Sequence, residues 1–399
     1  MLLEKMTSTE RRAVGSLSAI MSLRLIGLFM ILPVFALYAH DLIGATPFLI
    51  GLAMGIYGLT QALLQIPFGM LSDHIGRKPV IIAGLLLFAL GSVIAAESQQ
   101  IYWMILGRAL QGAGAVGSTI IATIADLTRE NQRTKAMAIN GMTIGVSFSL
   151  AMIVGPILAA VFQVSGIFWL ATLFSFIAIL LLLTVVPKPQ TTWHSDAEPE
   201  PTQFFSILKT PDLARLNCGV FILHAIFTAS FVVIPISLKL YAGLESARQW
   251  ILYVPSFFVA FILSLVFIVL AEKKHQVKPY FLLGINLLGA AVLILSLGAS
   301  SLYLSSLGLI LFFTGFSLLE AFLPSLVSRS APKARKGTAL GIYSCSQFLG
   351  IFVGGSVGGW LYGTFGLLHV YLFCLLFALL WLAISFGMNN PHYSASHAK

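Results

Sequence analysis

Long apolar segments alternate with short polar connections over almost the whole chain. Twelve of these segments are 18–27 residues long, and one helical crossing of a bilayer takes about 20 apolar residues. The strands of a transmembrane barrel would instead alternate apolar and polar side chains over about 10 residues. The pattern therefore predicts an all-α integral membrane protein with twelve transmembrane helices, numbered here as spans 1 to 12. The spans cover residues 14–39, 48–71, 79–96, 102–124, 136–162, 166–186, 214–238, 250–270, 280–298, 302–327, 337–363 and 367–387.

The composition agrees with this pattern and explains the charge. Of the 399 residues, 58% are hydrophobic and only 9% are charged, whereas soluble domains average about 25% charged residues. The net charge is +9, and nineteen of the 23 Lys and Arg residues lie in the N-terminal segment, the even-numbered connections and the C-terminal segment. The positive-inside rule places these parts, and therefore both termini, in the cytoplasm. The basic excess thus indicates topology, and we expect no nucleic-acid partner.

The chain reads as two related halves. A polar stretch at 187–212 separates six spans from six more, and RENQRTKAMAINGMTIG at span 5 resembles APKARKGTALGIYSCSQFLG at span 11, about half the chain later. Halves of this kind are a transporter architecture with the substrate path between them. We predict an N-terminal six-helix bundle at 1–186, a cytoplasmic linker at 187–212, and a C-terminal bundle with a short cytoplasmic tail at 213–399. Glycines repeat every four residues in spans 5 and 11, which predicts close helix packing there.

Four stretches carry a family resemblance. The connection between spans 2 and 3 reads GMLSDHIGRKP (69–79), span 4 contains GRALQGAGA, span 5 contains IVGPILAA, and span 1 ends in LPVFALYAHDLIGA. They resemble the signature loop of the major facilitator superfamily and motifs of its twelve-span drug:proton antiporter branch, although Ala159 and Ala160 replace glycines of one motif. Within that branch the chain is most similar to the YajR-type transporters, which carry an additional C-terminal soluble domain. The chain ends twelve residues after span 12, so we expect that domain to be missing.

The resemblance implies roles for two of these motifs. In the family the signature loop latches the halves on the cytoplasmic side, with Asp73 at the start of span 11, where a helix dipole favours an anion, and Arg77 paired with Asp126. The alternative is a solvated turn that only sets topology. Gly155 and Pro156 correspond to an antiporter motif, which implies export. The implied latch residues are Gly69, Asp73, Gly76, Arg77, Asp126 and Arg133.

Ionisable residues inside spans are costly to insert and are functional candidates by default. Glu320 in span 10 is the one acid deep within a span, about 10 Å from its cytoplasmic end at 1.5 Å per residue. His224 in span 7 and Arg24 in span 1 lie at comparable depths, and a buried carboxylate or imidazole can bind and release a proton near neutral pH. A fixed Glu–His or Glu–Arg pair is the structural alternative. The resemblance implies proton transfer or cavity electrostatics for Arg108, which can pair with Asp41 unless Asp41 is a solvated end residue. The proton-coupling candidates are Glu320, His224, Arg24, Arg108 and Asp41.

Neutral polar residues share helix faces in several spans. Residues spaced by four lie on one face of a helix, and a few polar groups among aromatic rings are typical of small-molecule sites. Many of the 30 Phe residues will simply face lipid. The substrate-cavity candidates are Tyr57, Gln61, Gln65, Gln111, Asn217, Thr228, Ser344 and Gln347.

Together these features predict a proton-coupled secondary transporter of the bacterial inner membrane. The leading hypothesis is export of an amphipathic small molecule in exchange for protons. A proton-symporting importer of a small metabolite and a non-transporting membrane sensor or scaffold are the alternatives. Neither a nucleotide-hydrolysis motif nor a paired Cys motif is present, so we expect no cofactor, no metal and no enzymatic activity. The expected partners are a small-molecule substrate, protons and the lipid bilayer, with the protein as a monomer.

Overall fold

The structure, a computed structural model, describes residues 5–187, 210–332 and 336–388. Regular structure in these ranges is helical, apart from one isolated bridge between Ile43 and Gln100. Most of the 187–212 connection and of the C-terminal tail therefore lies outside the described residues. The α-helices are α1 (Ser8–Phe29), α2 (Phe35–Ala39), α3 (Pro47–Ile75), α4 (Arg77–Glu97), α5 (Ile101–Ala113), α6 (Gly117–Asp126), α7 (Glu130–Thr184), α8 (Pro211–Leu240), α9 (Trp250–Lys273), α10 (Val277–Leu297), α11 (Leu302–Ser330), α12 (Lys336–Phe365) and α13 (Leu367–Phe386).

The helices reproduce the twelve predicted crossings, with three differences in continuity. Span 1 is divided between α1 and α2, because the helix breaks after Phe29. Ten helices in the described ranges are each long and apolar enough to span a membrane. Span 4 is built from α5 and α6 together, because the helix breaks after Ala113. Spans 5 and 6 form one element, α7, which is interrupted at Gln163 with φ 60° and ψ 180°. Counting α5 with α6 once and α7 twice gives twelve crossings.

The chain divides into two compact units. The first comprises residues 1–45 and 56–196, and the second comprises residues 46–55 and 197–399. Residues 46–55, the start of α3, belong to the second unit, where Gly51 lies against Gly355 and Gly359 of α12 so closely that a Cβ on Gly51 would overlap their backbone. Glycines allow this approach because no side chain separates the helices.

Each unit repeats the same capping contact. In the first unit Lys78, at the start of α4, donates to the carbonyl oxygen of Val186 at 2.7 Å. In the second unit Lys278, at the start of α10, donates to the carbonyl oxygen of Phe386 at 3.0 Å. A cation at a helix C-terminus satisfies exposed carbonyls and complements the helix dipole. The two contacts are offset by 200 residues, the spacing expected of a duplicated unit.

Close helix packing is confirmed for α12 but not for the first glycines of α7. A Cβ on Gly354 of α12 would stand 2.7 Å from the Cα atom of Ala225 in α8, and every residue of α8 from 222 to 238 is buried. By contrast, a Cβ on Gly141 or Gly145 would meet nothing within 4 Å among the described residues. The prediction of close packing at those two positions was wrong, because a four-residue glycine spacing permits close approach without supplying a neighbouring helix.

Candidate functional site

Three helices of the second unit bring an acid, an imidazole and an amide together. Glu320 projects from α11, His224 from α8 and Gln347 from α12. Gln347 Nε2 lies 2.8 Å from His224 Nε2 and 3.3 Å from Glu320 Oε1. The Glu320 Oε2 and His224 Nε2 atoms are 3.7 Å apart. We call these three residues the α8–α11–α12 triad.

The hydrogen bonds of His224 fit a neutral imidazole. Its Nδ1 atom lies 3.1 Å from the carbonyl oxygen of Val220, which can only accept a hydrogen bond. Its Nε2 atom faces the side-chain amide of Gln347, which can donate to it. In this tautomer the formal charge of the triad resides on Glu320 when that carboxyl is ionised.

The triad borders aromatic rings, and the helices of the second unit carry several buried polar atoms that have no hydrogen-bond partner among the described residues. Phe316 packs edge-on against His224 with ring centroids 5.7 Å apart, and Phe227 lies 4.4 Å from Phe316. Buried polar groups normally find partners, so the unpartnered atoms mark where waters or a ligand fit. In the described part of this unit they are Asn217 Oδ1 and Nδ2, Thr228 Oγ1, Glu320 Oε2, Tyr343 Oη and Ser356 Oγ.

Three other cavity candidates lie on the helices of the triad. Asn217 and Thr228 are buried on α8 at 5% and 1% exposure, on the face that carries His224. Ser344 on α12 is half-buried three residues before Gln347. Gln347 is the cavity candidate whose described hydrogen bonds reach both His224 and Glu320.

In the first unit, the predicted residues Tyr57 and Gln111 form a buried cluster with Arg108. The guanidinium of Arg108 lies 4.5 Å from the ring centroid of Tyr57 in α3, a cation–π contact. Arg108 Nη1 donates to Gln111 Oε1 at 2.6 Å, and Gln111 Nε2 donates to Ser92 Oγ at 2.8 Å. Arg108, Gln111 and Ser92 thus form a chain of hydrogen bonds that links α5 to α4.

Arg24 joins this cluster through the next turn of α3. Its Nη2 atom donates to Gln61 Oε1 at 2.9 Å, and its guanidinium stands 5.5 Å from the Phe88 ring centroid. Gln61 follows Tyr57 by one turn, so both guanidinium groups lie along one face of α3. Gln65, one turn further, is also buried, at 7% exposure.

Asp41 does not pair with Arg108. Its side chain is 88% exposed and lies 3.7 Å from His40 Nδ1, whereas Arg108 is 1% exposed. Of the two alternatives, the pairing was wrong and the solvated end residue is confirmed, because Asp41 lies in the connection after α2, which ends at Ala39.

The GMLSDHIGRKP connection forms an ion-pair cluster within the first unit. Arg77 Nε donates to Asp126 Oδ2 at 2.9 Å and Nη1 donates to Ser72 Oγ at 2.6 Å, and Arg77 also pairs with Asp73. The Arg77–Asp126 pair predicted from the resemblance is therefore confirmed. Arg133 Nε donates to the carbonyl oxygen of Ala125, next to Asp126, at 3.3 Å.

The two glycines of the GMLSDHIGRKP connection, Gly69 and Gly76, differ in whether a residue with a Cβ could replace them. Gly76 has φ 95° and ψ 154°, a conformation that residues with a Cβ rarely adopt. This geometry separates α3 from α4 and turns Arg77 towards Asp126. A Cβ on Gly69 would meet Ser118 Oγ at an ordinary 3.6 Å. The predicted contact of Asp73 with the start of span 11 involves the stretch around 333–335, which lies outside the described residues.

The antiporter motif lies where α7 crosses the break in span 1. A Cβ on Gly155 would overlap the carbonyl group of Met30, the residue that follows α1. Pro156 lies inside α7, which continues through it. The motif therefore brings α7 against the irregular backbone between α1 and α2.

Comparison with known proteins gives the family. The family model of the Major Facilitator Superfamily matches residues 17–355 and 249–399. The chain belongs to the major facilitator superfamily. It is 43% identical to the inner membrane transport protein YajR of Escherichia coli (strain K12), over 98% of this chain and 86% of that protein. It is 26% identical to the quinolone resistance protein NorA of Staphylococcus aureus (strain MSSA476), over 84% and 86%.

A solved structure supports the fold. The crystal structure of a D-xylose–proton symporter matches with a TM-score of 0.76 at 15% identity, over 95% of this chain and 98% of that one. At this identity the similarity establishes only that the helices follow the major facilitator fold. Since these relatives are transport proteins, we assign the chain to small-molecule transport rather than to an enzymatic activity.

Three residues on the helices of the triad and of the Arg108 cluster were not predicted from the sequence. Tyr343 lies one turn before Gln347 on α12, and this spacing could have identified it. Ser92 accepts from Gln111 but sits alone in an apolar segment without any distinguishing pattern. Phe316 packs on His224 and precedes Glu320 by one turn, which marks a shared face, although the abundance of Phe hides the signal.

Proposed function

We propose that this major facilitator protein is a proton-coupled transporter that exports an amphipathic small molecule in exchange for protons by alternating access. The observation that carries the proposal is the α8–α11–α12 triad. Glu320 is the carboxylate in the interior of the second unit, where the other described acids lie at helix ends: Asp212, Glu245 and Glu272. An intramembrane carboxylate among aromatic rings suits proton binding rather than ion pairing with a fixed cation.

The triad suggests how a proton can alter the transport cycle. When Glu320 is ionised, the amide of Gln347 is its described hydrogen-bond donor, and closing the apolar surroundings over the charge is costly. A proton on Glu320 removes the charge and weakens the hydrogen bond from Gln347, which keeps its bond to His224. His224 then acts as a positioning residue for Gln347. Proton binding and release would thus change the cost of exposing the site to either side of the membrane.

Export is supported by the relatives and by one motif. NorA is named as a quinolone resistance protein, and the Gly155–Pro156 stretch resembles the antiporter motif of drug:proton exchangers. We further propose the bacterial inner membrane as the location, since YajR is named as an inner membrane protein. Following the distribution of Lys and Arg, both termini would face the cytoplasm, and the protein would act as a monomer.

We assign the Arg77 cluster to gating rather than to substrate or proton binding. Its members, Asp73, Arg77 and Asp126, lie at the ends of α3, α4 and α6, and by the positive-inside rule these ends face the cytoplasm. Arg77 pairs with the carboxylates of Asp73 and Asp126 where three helix ends meet, and these pairs would hold the latch residues in position. Gly69, Gly76 and Arg133 support this geometry.

The test uses inverted membrane vesicles with an imposed pH gradient, acid inside, and a panel of fluorescent amphipathic molecules of positive, negative and zero charge. Wild type should accumulate its substrate and dissipate the pH gradient on substrate addition. Glu320→Gln should lose both effects but retain exchange of labelled for unlabelled substrate without a gradient. Glu245→Gln, which makes the same change at an exposed carboxylate, should behave as wild type.

The other outcomes are informative. Full gradient-driven accumulation in Glu320→Gln would remove Glu320 from the coupling step. Substrate movement in the same direction as the protons in wild type would identify a symporter. Binding without any transport across the whole panel would identify a sensor or scaffold.

A further inference from the structure

Arg24 is a buried cation whose hydrogen-bonding capacity is largely unused. It is 1% exposed, and its Nε and Nη1 atoms have no hydrogen-bond partner among the described residues. These two atoms carry three of the five N–H donors of a guanidinium. Its described hydrogen bond runs from Nη2 to the neutral Gln61.

No described carboxylate pairs with Arg24. The ion-paired acids of the first unit are bound elsewhere: Glu10 to Arg129, Asp73 and Asp126 to Arg77, and Asp41 to His40. The remaining described acids of this unit, Glu97 and Glu130, are exposed at a helix end and a helix start. A guanidinium buried without an anion is expensive, and such residues inside a membrane protein are retained where they serve function.

A second cation adds positive charge to the same cluster. Arg108 is also 1% exposed, and its guanidinium contacts Gln111 and the ring of Tyr57. Because Tyr57 and Gln61 are one turn apart on α3, the two positive charges lie near one another in a low-dielectric interior, where like charges repel. A bound anion would relieve both the repulsion and the vacant donors of Arg24.

We propose that the transported molecule is an organic anion, a carboxylate or phosphate monoester on an aromatic or aliphatic body, and that Arg24 binds its charged group. Arg24 supplies the free N–H donors, since guanidinium binds oxyanions with matched geometry. Phe88 and Tyr57, whose rings lie beside the two guanidinium groups, offer apolar surface for the body. Arg108 acts as a positioning residue that adds positive potential. The inference rests on the proposed transport function, whose substrate class it specifies.

The anion reaches Arg24 during the transport cycle, because both guanidinium groups are covered in the described arrangement. A purely structural arginine would need its donors satisfied in the folded state, as those of Arg129 are by Glu10. The Nε and Nη1 donors of Arg24 have no partner among the described residues, so removing its charge should not lower the thermal unfolding midpoint in the absence of ligand. This contrast separates a binding role from a structural one.

The experiment measures thermal unfolding of the purified full chain in detergent with matched ligand series. The probes are 1-naphthoate and benzoate, their primary amides, benzylamine, and phenyl phosphate against phenol. Wild type should be stabilised in a saturable way by the anions and not by the neutral or cationic analogues. Arg24→Gln should raise the half-saturating anion concentration at least tenfold, and Arg24→Lys should raise it less. Arg248→Gln, at an exposed position, should leave it unchanged.

The outcomes decide between the roles. Absence of anion-selective stabilisation in wild type, or equal anion affinity in Arg24→Gln, would overturn the proposal. If Arg24→Gln does not fold, anion affinity in Arg24→Lys identical to that of wild type overturns it. The binding measurement uses no pH gradient and no transport step, so failure of the proton-coupling proposal leaves it intact, and the reverse also holds.

Discussion

A methyl group on Gly354 should disturb the triad without touching it. Gly354 in α12 packs on α8, where an added Cβ would stand 2.7 Å from the Cα atom of Ala225, the neighbour of His224. Carbon atoms pack at about 3.5–4.0 Å, so Gly354→Ala must push the helices apart by about 1 Å. The bond of 2.8 Å between Gln347 and His224 bridges the same two helices and would then exceed hydrogen-bonding distance. Overpacking of this kind costs about 1–3 kcal/mol.

Gly341→Ala in the same helix is the matched control. A Cβ there would meet nothing within 4 Å, and Ala is favoured over Gly in a helix interior by up to about 1 kcal/mol. Thermal unfolding of the purified protein should therefore give a lower midpoint for Gly354→Ala and an equal or higher midpoint for Gly341→Ala. In vesicles with a pH gradient, Gly354→Ala should lose a larger share of proton-driven accumulation than its loss of folded protein explains. Equal stability and equal transport in the two variants would refute the reasoning.

Two further predictions concern the GMLSDHIGRKP connection. Gly76→Ala should lower the free energy of unfolding by about 1–3 kcal/mol because its φ of 95° is costly with a Cβ; thermal unfolding measures this, and a change no larger than that of Gly341→Ala would contradict it. Arg77→Gln should cost about 2 kcal/mol, since two partly exposed ion pairs contribute about 0.5 kcal/mol each and the bond to Ser72 about 1 kcal/mol. A double-mutant cycle with Asp126→Asn should show coupling of at least about 0.5 kcal/mol, whereas strictly additive effects would show that the 2.9 Å pair contributes nothing.

The fold could be predicted from hydrophobic periodicity because each transmembrane helix satisfies its own backbone and must be apolar over a fixed length. The places where prediction failed are breaks in continuity. The interruptions after Ala113 in span 4 and after Phe29 in span 1 depend on packing against neighbouring helices, which hydrophobicity does not report. Close packing at Gly354 but open space at Gly141 shows the same limit.

The candidate site was predictable in part. Glu320 and His224 stood out because ionisable residues are rare in spans, and their proximity at 3.7 Å agrees with that expectation. Gln347 was recognised only as a cavity residue, although it bridges the two. For Asp41, the pairing with Arg108 was wrong and the alternative of a solvated end residue is confirmed, since its side chain is 88% exposed. The partners of a buried side chain depend on the rotation of helices about their axes, which the sequence leaves open.

The sequence by itself determined the class of this protein through twelve apolar crossings and a signature loop that identifies the family, and its charge distribution predicts the orientation. These properties follow from local composition, because burial in lipid and attraction of cations to one side act on each segment separately. Tertiary structure alone decided which polar side chains meet. It grouped the acid of the second unit with His224 and Gln347, and the buried arginines of the first unit with Tyr57, Gln61 and Gln111. Those groupings arise from contacts between helices far apart along the chain.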